Sequence, residues 1–126
     1  MALKFYRCKK CGQFVLSLKK TGCDMFCCGE AMSELKPGEI EGAKEKHIPV
    51  ATRVGNIVKV VVGEVAHPML DVHYIEWIGL TTDKGFQIKY LKPGEEPKGE
   101  FALSEGETPL EVVAYCNLHG LWGAKL

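Results

Sequence analysis

The sequence predicts an all-β protein built in two pieces: a small N-terminal module that needs a metal to hold it together, followed by a β-sandwich or barrel. Three observations carry this. Short runs rich in β-branched and aromatic residues alternate with turn residues, and no sustained period of 3.6 appears. Five of the six cysteines fall between Cys8 and Cys28. All four histidines lie at or beyond His47. The composition therefore changes near Lys36-Pro37-Gly38, itself a turn signal, and the boundary is placed there, giving pieces 1–36 and 37–126.

The first piece falls below the size at which a chain builds its own apolar core, about 40 residues, and its cysteines are the obvious staple. Cys8-Lys9-Lys10-Cys11-Gly12 puts two residues between two thiols, so that one tight turn can present both sulfurs to one ion. Cys27 and Cys28 are adjacent. Neighbouring side chains of an extended chain point to opposite sides, so both reach one ion only through a local bend, and a distorted tetrahedron is expected. Four thiolates suit zinc or iron alike. Cys23 is a spare, and a second pair of Cys23 with Cys27 is the alternative.

In the second piece, Gly55-Asn56 reads as a hairpin turn leading into the β-branched run Ile57–Val62. Tyr74–Leu80, Phe86–Leu91 after the turn Asp83-Lys84-Gly85, Glu100–Leu103 and Leu110–Cys116 are further strands. Pro68, Pro93, Pro97 and Pro109 fall between the runs, and the segment Glu105–Pro109 reads as a peripheral turn. The chain shows no internal repeat and no low-complexity tract.

His47, His67, His73, His119 and Cys116 collect in this second piece. Each alone reads as an ordinary core or surface residue; together they offer four imidazoles and one thiolate. Five donors exceed the four places of a structural zinc. They suit a metal such as iron with six positions, one left open for a small ligand. Ferrous iron with neutral histidines and one thiolate carries a charge of about +1, which accepts a small anion, and the thiolate pushes electron density toward whatever binds opposite.

Lys+Arg and Asp+Glu are both 16, so the net charge is zero and a broad basic face for nucleic acid is not indicated. No run reaches signal-peptide or bilayer length, from Met1-Ala2 onward. A cytoplasmic chain without membrane contact is expected, where clustered thiols mean metal or redox chemistry rather than disulfides.

The residues resemble those of the desulfoferrodoxins, the two-iron superoxide reductases, over essentially the full length. The matching segments are Cys8-x-x-Cys11-Gly12, Cys27-Cys28-Gly29-Glu30, Ala43–Val50, Val65–Met69, His73–Ile78, Leu91–Gly94 and Tyr115–Trp122. The resemblance implies a desulforedoxin-like N-terminal domain with an Fe(Cys)4 centre on Cys8, Cys11, Cys27 and Cys28. It implies an immunoglobulin-like β-sandwich carrying a second non-haem iron, with His47, His67, His73 and His119 equatorial and Cys116 axial. It further implies one-electron reduction of superoxide to hydrogen peroxide, Glu45 as a ligand of the resting ferric iron, and Lys46 beside the open position. A homodimer and a rubredoxin-like electron donor complete the expectation. Cys23 is the visible departure. The competing functional reading is a two-iron electron-transfer protein without catalysis.

Overall fold

The computed structural model describes residues 3–19 and 21–126; Met1 and Ala2, part of the N-terminal segment read above, and Lys20 lie outside it. The chain separates into two compact units, Met1–Lys36 and Pro37–Leu126. The first holds β1 (Lys4–Arg7), β2 (Phe14–Ser17), β3 (Phe26–Cys27), β4 (Glu30–Ala31) and β5 (Ser33–Leu35). The second holds the helical turn α1 (Lys44–His47), then β6 (Pro49–Val54), β7 (Ile57–Val62), β8 (Ile75–Thr82), β9 (Phe86–Tyr90), β10 (Lys98–Ala102), β11 (Pro109–Cys116) and β12 (Gly120–Lys125). No helix among the described residues is long and apolar enough to cross a membrane.

In the first unit β1 lies between β2 and β5, and β3 and β4 form a separate hairpin. The hairpin β1–β2 closes through the Cys8–Cys11 knuckle, where the Gly12 amide donates to the Cys8 carbonyl at 2.9 Å. The hairpin β3–β4 closes through Cys28 and Gly29, with Cys27 opposite Glu30. Strands of two to four residues bury little by themselves, which leaves the thiols at the two hairpin tips as the natural clasp.

The second unit is an immunoglobulin-like β-sandwich. One sheet has the order β10-β7-β6 and the other β12-β11-β8-β9, every pair antiparallel. The chain changes sheet between β7 and β8, between β9 and β10, and between β10 and β11, the Greek-key course of such sandwiches. β7 shows why: Val58, Val60 and Val62 are buried while Lys59 and Val61 face solvent, a period of two that supplies one sheet's inner face. Phe101 and Leu103 join them, and Ile75, Ile78, Leu80, Val112, Ala114 and Cys116 close the core from the other sheet.

The strands read from sequence are present with shifted ends, and β6 and β12 are additions. Pro109 opens β11 rather than preceding it; a first position in a strand tolerates the missing N–H. One irregularity matters for function. Ala114 opposes Ile78 and Tyr115 opposes Trp77, but Cys116 opposes Ile75, so Glu76 is the extra residue of a β-bulge. Without that bulge Cys116 would face half-buried Glu76 rather than buried Ile75.

Candidate metal centres

Antiparallel register brings four chain segments to one end of the sandwich. Pro49 pairs with Val62, and Cys116 pairs with both Ile75 and Gly120. Hence the start of β6, the end of β7, the start of β8 and the β11–β12 turn are neighbours. His47 ends α1 just before β6, His67 and His73 lie on the β7–β8 crossover, and Cys116 and His119 flank the last turn.

The four imidazoles form a closed ring in the order His47, His67, His73, His119. Adjacent ring centroids are 4.6, 4.7, 5.0 and 4.7 Å apart, with planes at 73°, 81°, 66° and 75°. The diagonal His47–His73 is longer, at 6.3 Å. His47 Nε2 lies 3.1 Å from both His67 Nε2 and His119 Nδ1. Two nitrogens bound at about 2.1 Å on adjacent corners of an octahedral ion would lie about 3.0 Å apart. His47, His67, His73 and Cys116 have donor atoms all within 4.8 Å of one another, and His119 joins them with Nδ1 3.8 Å from the Cys116 sulfur. His73 Nε2 is buried with no hydrogen-bond partner, the state of a nitrogen kept for a metal.

Electrostatics fit that use. Burial pulls the imidazole of His67 down to about 4 and lowers those of His47 and His73, keeping all three neutral with a lone pair to offer. Burial pushes the Cys116 thiol up, while the backbone amides of His119 and Leu118 at its sulfur favour the thiolate. A bound cation would complete that ionisation. Carbonyl groups set two of the rings: Nδ1 of His47 donates to Ala43 O and Nδ1 of His67 to Pro68 O, each at 2.7 Å. Trp122 stacks on His47 at 5.0 Å and donates Nε1–H to the His119 carbonyl at 2.9 Å. Gly42 packs over the same two rings, so closely that a Cβ there would lie 3.2 Å from each.

Glu45 and Lys46 are exposed on α1. Glu45 lines a surface groove of about 310 Å³ with Lys44, Ile48, Val50 and Glu64. The Glu45 charge acts on His47, and the Lys46 charge acts on both His47 and His73.

In the first unit the structure brings together Cys8, Cys11, Cys27 and Cys28, with all sulfurs within 4.8 Å. Cys11 and Cys27 sulfurs are 3.5 Å apart and those of Cys27 and Cys28 3.9 Å; a tetrahedron with bonds of about 2.3 Å has edges of about 3.8 Å. The bend required of adjacent cysteines is present: Cys28 has φ +54°, the only positive value at a non-glycine among the described residues. Cys23 is exposed and outside the group. Backbone N–H groups of Cys11 and Gln13 donate to the sulfurs of Cys8 and Cys11. The amide of Cys11 draws Cys8 down to about 6, and hydrogen bonding to Cys11 then holds Cys27 up at about 12 and raises Cys28. Four adjacent thiols cannot ionise together without a cation, which is what an iron or zinc ion supplies.

Sequence reading assigned no role to Asn117, Trp122, Gly42 or the carbonyl groups of Ala43 and Pro68. Asn117 directly follows Cys116, and Trp122 lies three residues beyond His119.

The family model described as desulfoferrodoxin matches residues 39–125, and the one for the desulfoferrodoxin N-terminal domain matches residues 2–35. A desulfoferrodoxin of Nitratidesulfovibrio vulgaris is 48% identical over 124 residues, covering 97% of this chain and 95% of that one. A superoxide reductase of Thermococcus kodakarensis is 34% identical over 105 residues, covering 70% and 90%. The crystal structure of the superoxide reductase from Treponema pallidum superposes with a TM-score of 0.86 at 41% identity, covering 99% of this chain and all of that one.

Proposed function

Given that this chain belongs to the desulfoferrodoxin family, we infer that it is a superoxide reductase with two non-haem iron ions, reducing superoxide to hydrogen peroxide. The observation that carries the reading is the closed ring of four imidazoles with a buried thiol beside it. Five donors are one too many for a tetrahedral structural ion and one too few to close an octahedral one.

His47, His67, His73 and His119 hold one iron together with Cys116, and Cys8, Cys11, Cys27 and Cys28 hold the other. When bound and ferrous, the first of these irons supplies the single electron that superoxide needs; two protons complete hydrogen peroxide. The chain does the rest. Ala43 O and Pro68 O hold His47 and His67 in the tautomer that turns Nε2 inward. The amides of Leu118 and His119 donate to the Cys116 sulfur and favour its thiolate against the burial that opposes ionisation, and a bound cation would complete it. Lys46 places a positive charge near His47 and His73, which draws the anion in, and its Nζ carries protons or ordered water to the approach. Glu45, on the same turn, would offer a carboxylate to an oxidised iron held there.

The protein works in the cytoplasm, where its free thiols persist. By its family resemblance it is a homodimer and takes its electrons from a rubredoxin-like carrier. The test is stopped-flow mixing of superoxide with the ferrous protein, alongside protein with zinc in both centres. Second-order loss of superoxide approaching the diffusion limit, absent from the zinc form, supports the reductase. Loss no faster than spontaneous decay leaves the electron-transfer reading.

A further inference from the structure

His73 is held differently from its deeper neighbours. The outer nitrogens of His47 and His67 each meet a carbonyl at 2.7 Å, the usual device for aiming a ligating imidazole. For His73 no such ring-to-carbonyl bond is seen among the described residues, its Nε2 is buried without a partner, and the residue is only half-buried. Its aim depends on its backbone. On one side Leu70 pairs with it through two bonds, Leu70 N to His73 O at 2.9 Å and His73 N to Leu70 O at 3.1 Å. On the other side stands one residue, Asn117. Its Oδ1 accepts from the Tyr74 amide at 2.9 Å, its Nδ2 donates to the Val72 carbonyl at 3.0 Å, and its own amide donates to the Tyr74 carbonyl at 3.2 Å. The residues immediately before and after His73 are thus gripped by one side chain. Only one orientation of the amide satisfies both contacts, since Tyr74 N can only donate and Val72 O can only accept.

We propose that Asn117 is the positioning residue for His73. It does through the backbone what Ala43 and Pro68 do through ring hydrogen bonds for His47 and His67. Because Asn117 follows Cys116 directly, the grip also ties the crossover carrying His73 to the turn carrying Cys116 and His119, so three ligands share one support. The inference rests on the iron ligation proposed above.

The experiment is chelator-driven release of ferrous iron from the fully loaded protein, with the Fe(Cys)4 centre of the same sample as internal control. Asn117→Ala is expected to speed release from the His/Cys centre about 10- to 100-fold, the usual effect of losing an outer-shell partner, and to leave the Fe(Cys)4 centre unchanged. Asn117→Asp keeps the acceptor for Tyr74 but sets a carboxylate oxygen against Val72 O, and falls between wild type and the alanine variant. Val60→Ala removes buried methyl groups from the core face of β7 and reports what general loosening does; it should release iron at the wild-type rate. In a His73→Gln background, Asn117→Ala should add nothing. Release from Asn117→Ala within twofold of wild type, equal acceleration by Val60→Ala, or full additivity with His73→Gln would each overturn the proposal. A wild-type protein that holds no iron at the His/Cys centre would overturn the ligation itself, and this inference with it.

Discussion

Gly63 ends β7 directly beneath the turn that carries Glu45 and Lys46, and Gly63→Ala should damage both stability and substrate capture. Its amide donates to Ile48 O at 3.1 Å, and its φ of +85° lies in the left-handed region. A Cβ there would lie 2.4 Å from Val65 O, 2.6 Å from Lys46 O and 2.8 Å from Glu45 O, all backbone atoms that cannot rotate away. The left-handed conformation costs a non-glycine residue about 1–2 kcal/mol. Pushing three carbonyls outward adds overpacking of about 1–3 kcal/mol. Gly55→Ala is the matched control, because Gly55 has φ +61° with nothing within 4 Å of a Cβ. At roughly 5 °C per kcal/mol for a unit of this size, Gly55→Ala should lower Tm by about 5–10 °C and Gly63→Ala by about 10–25 °C. The assay is thermal unfolding of both variants in the metal-free state, followed by stopped-flow superoxide capture by the ferrous forms. Only Gly63→Ala should slow capture, because it shifts the backbone of Glu45 and Lys46 and strains the bond from Val65 N to Glu45 O. Equal Tm losses in the two variants, or normal capture by Gly63→Ala, would refute the reasoning.

Lys46→Ala should slow capture about three- to tenfold at low ionic strength, the gap closing as salt screens the charge; an unchanged rate at low salt removes the steering role. Glu45→Ala should change the absorption spectrum of the ferric protein while leaving capture by the ferrous protein nearly as it was; an identical ferric spectrum rules out ligation by Glu45. At the far end of the sandwich, Glu107 accepts hydrogen bonds from the Thr82 hydroxyl and from Ser104 N, which hold its carboxyl below the usual range. A carboxyl lowered on folding stabilises above its unfolded value, about 4.5, and that stabilisation fades as pH falls through the folded value. Glu107→Gln should therefore unfold more readily than wild type near pH 7 and converge with it in acid, measured by urea denaturation across that range.

The parts of the molecule legible in the sequence were those where one residue type does one thing. The run Ile57–Val62 after Gly55-Asn56 reads as a strand after a turn because branched side chains suit a pleated, half-buried surface. β6 did not stand out, since Thr52, Arg53 and an initial proline dilute its pattern and an edge strand needs no continuous apolar face. β12 carries Gly120 and Gly123, and the strands of the first unit are too short for any period to show. At the metal centres, side chains that can bind metal are few, so their collection was visible; the groups that aim them were not. Any residue has a carbonyl, so nothing marks Ala43 or Pro68. Asn117 acquires its meaning only once register sets the β11–β12 turn against Tyr74. Likewise, adjacent cysteines demand a bend, but only the backbone shows that Cys28 rather than Cys27 makes it.

The most direct test of the central claim is a stoichiometry. Ferrous protein of known iron content is mixed with a limiting pulse of superoxide, and peroxide and dioxygen are counted. The account predicts one hydrogen peroxide per superoxide consumed, one iron of the His/Cys centre oxidised each time, and no dioxygen. One hydrogen peroxide and one dioxygen per two superoxides, with the iron returned to its starting state, would make this centre a dismutase and contradict it.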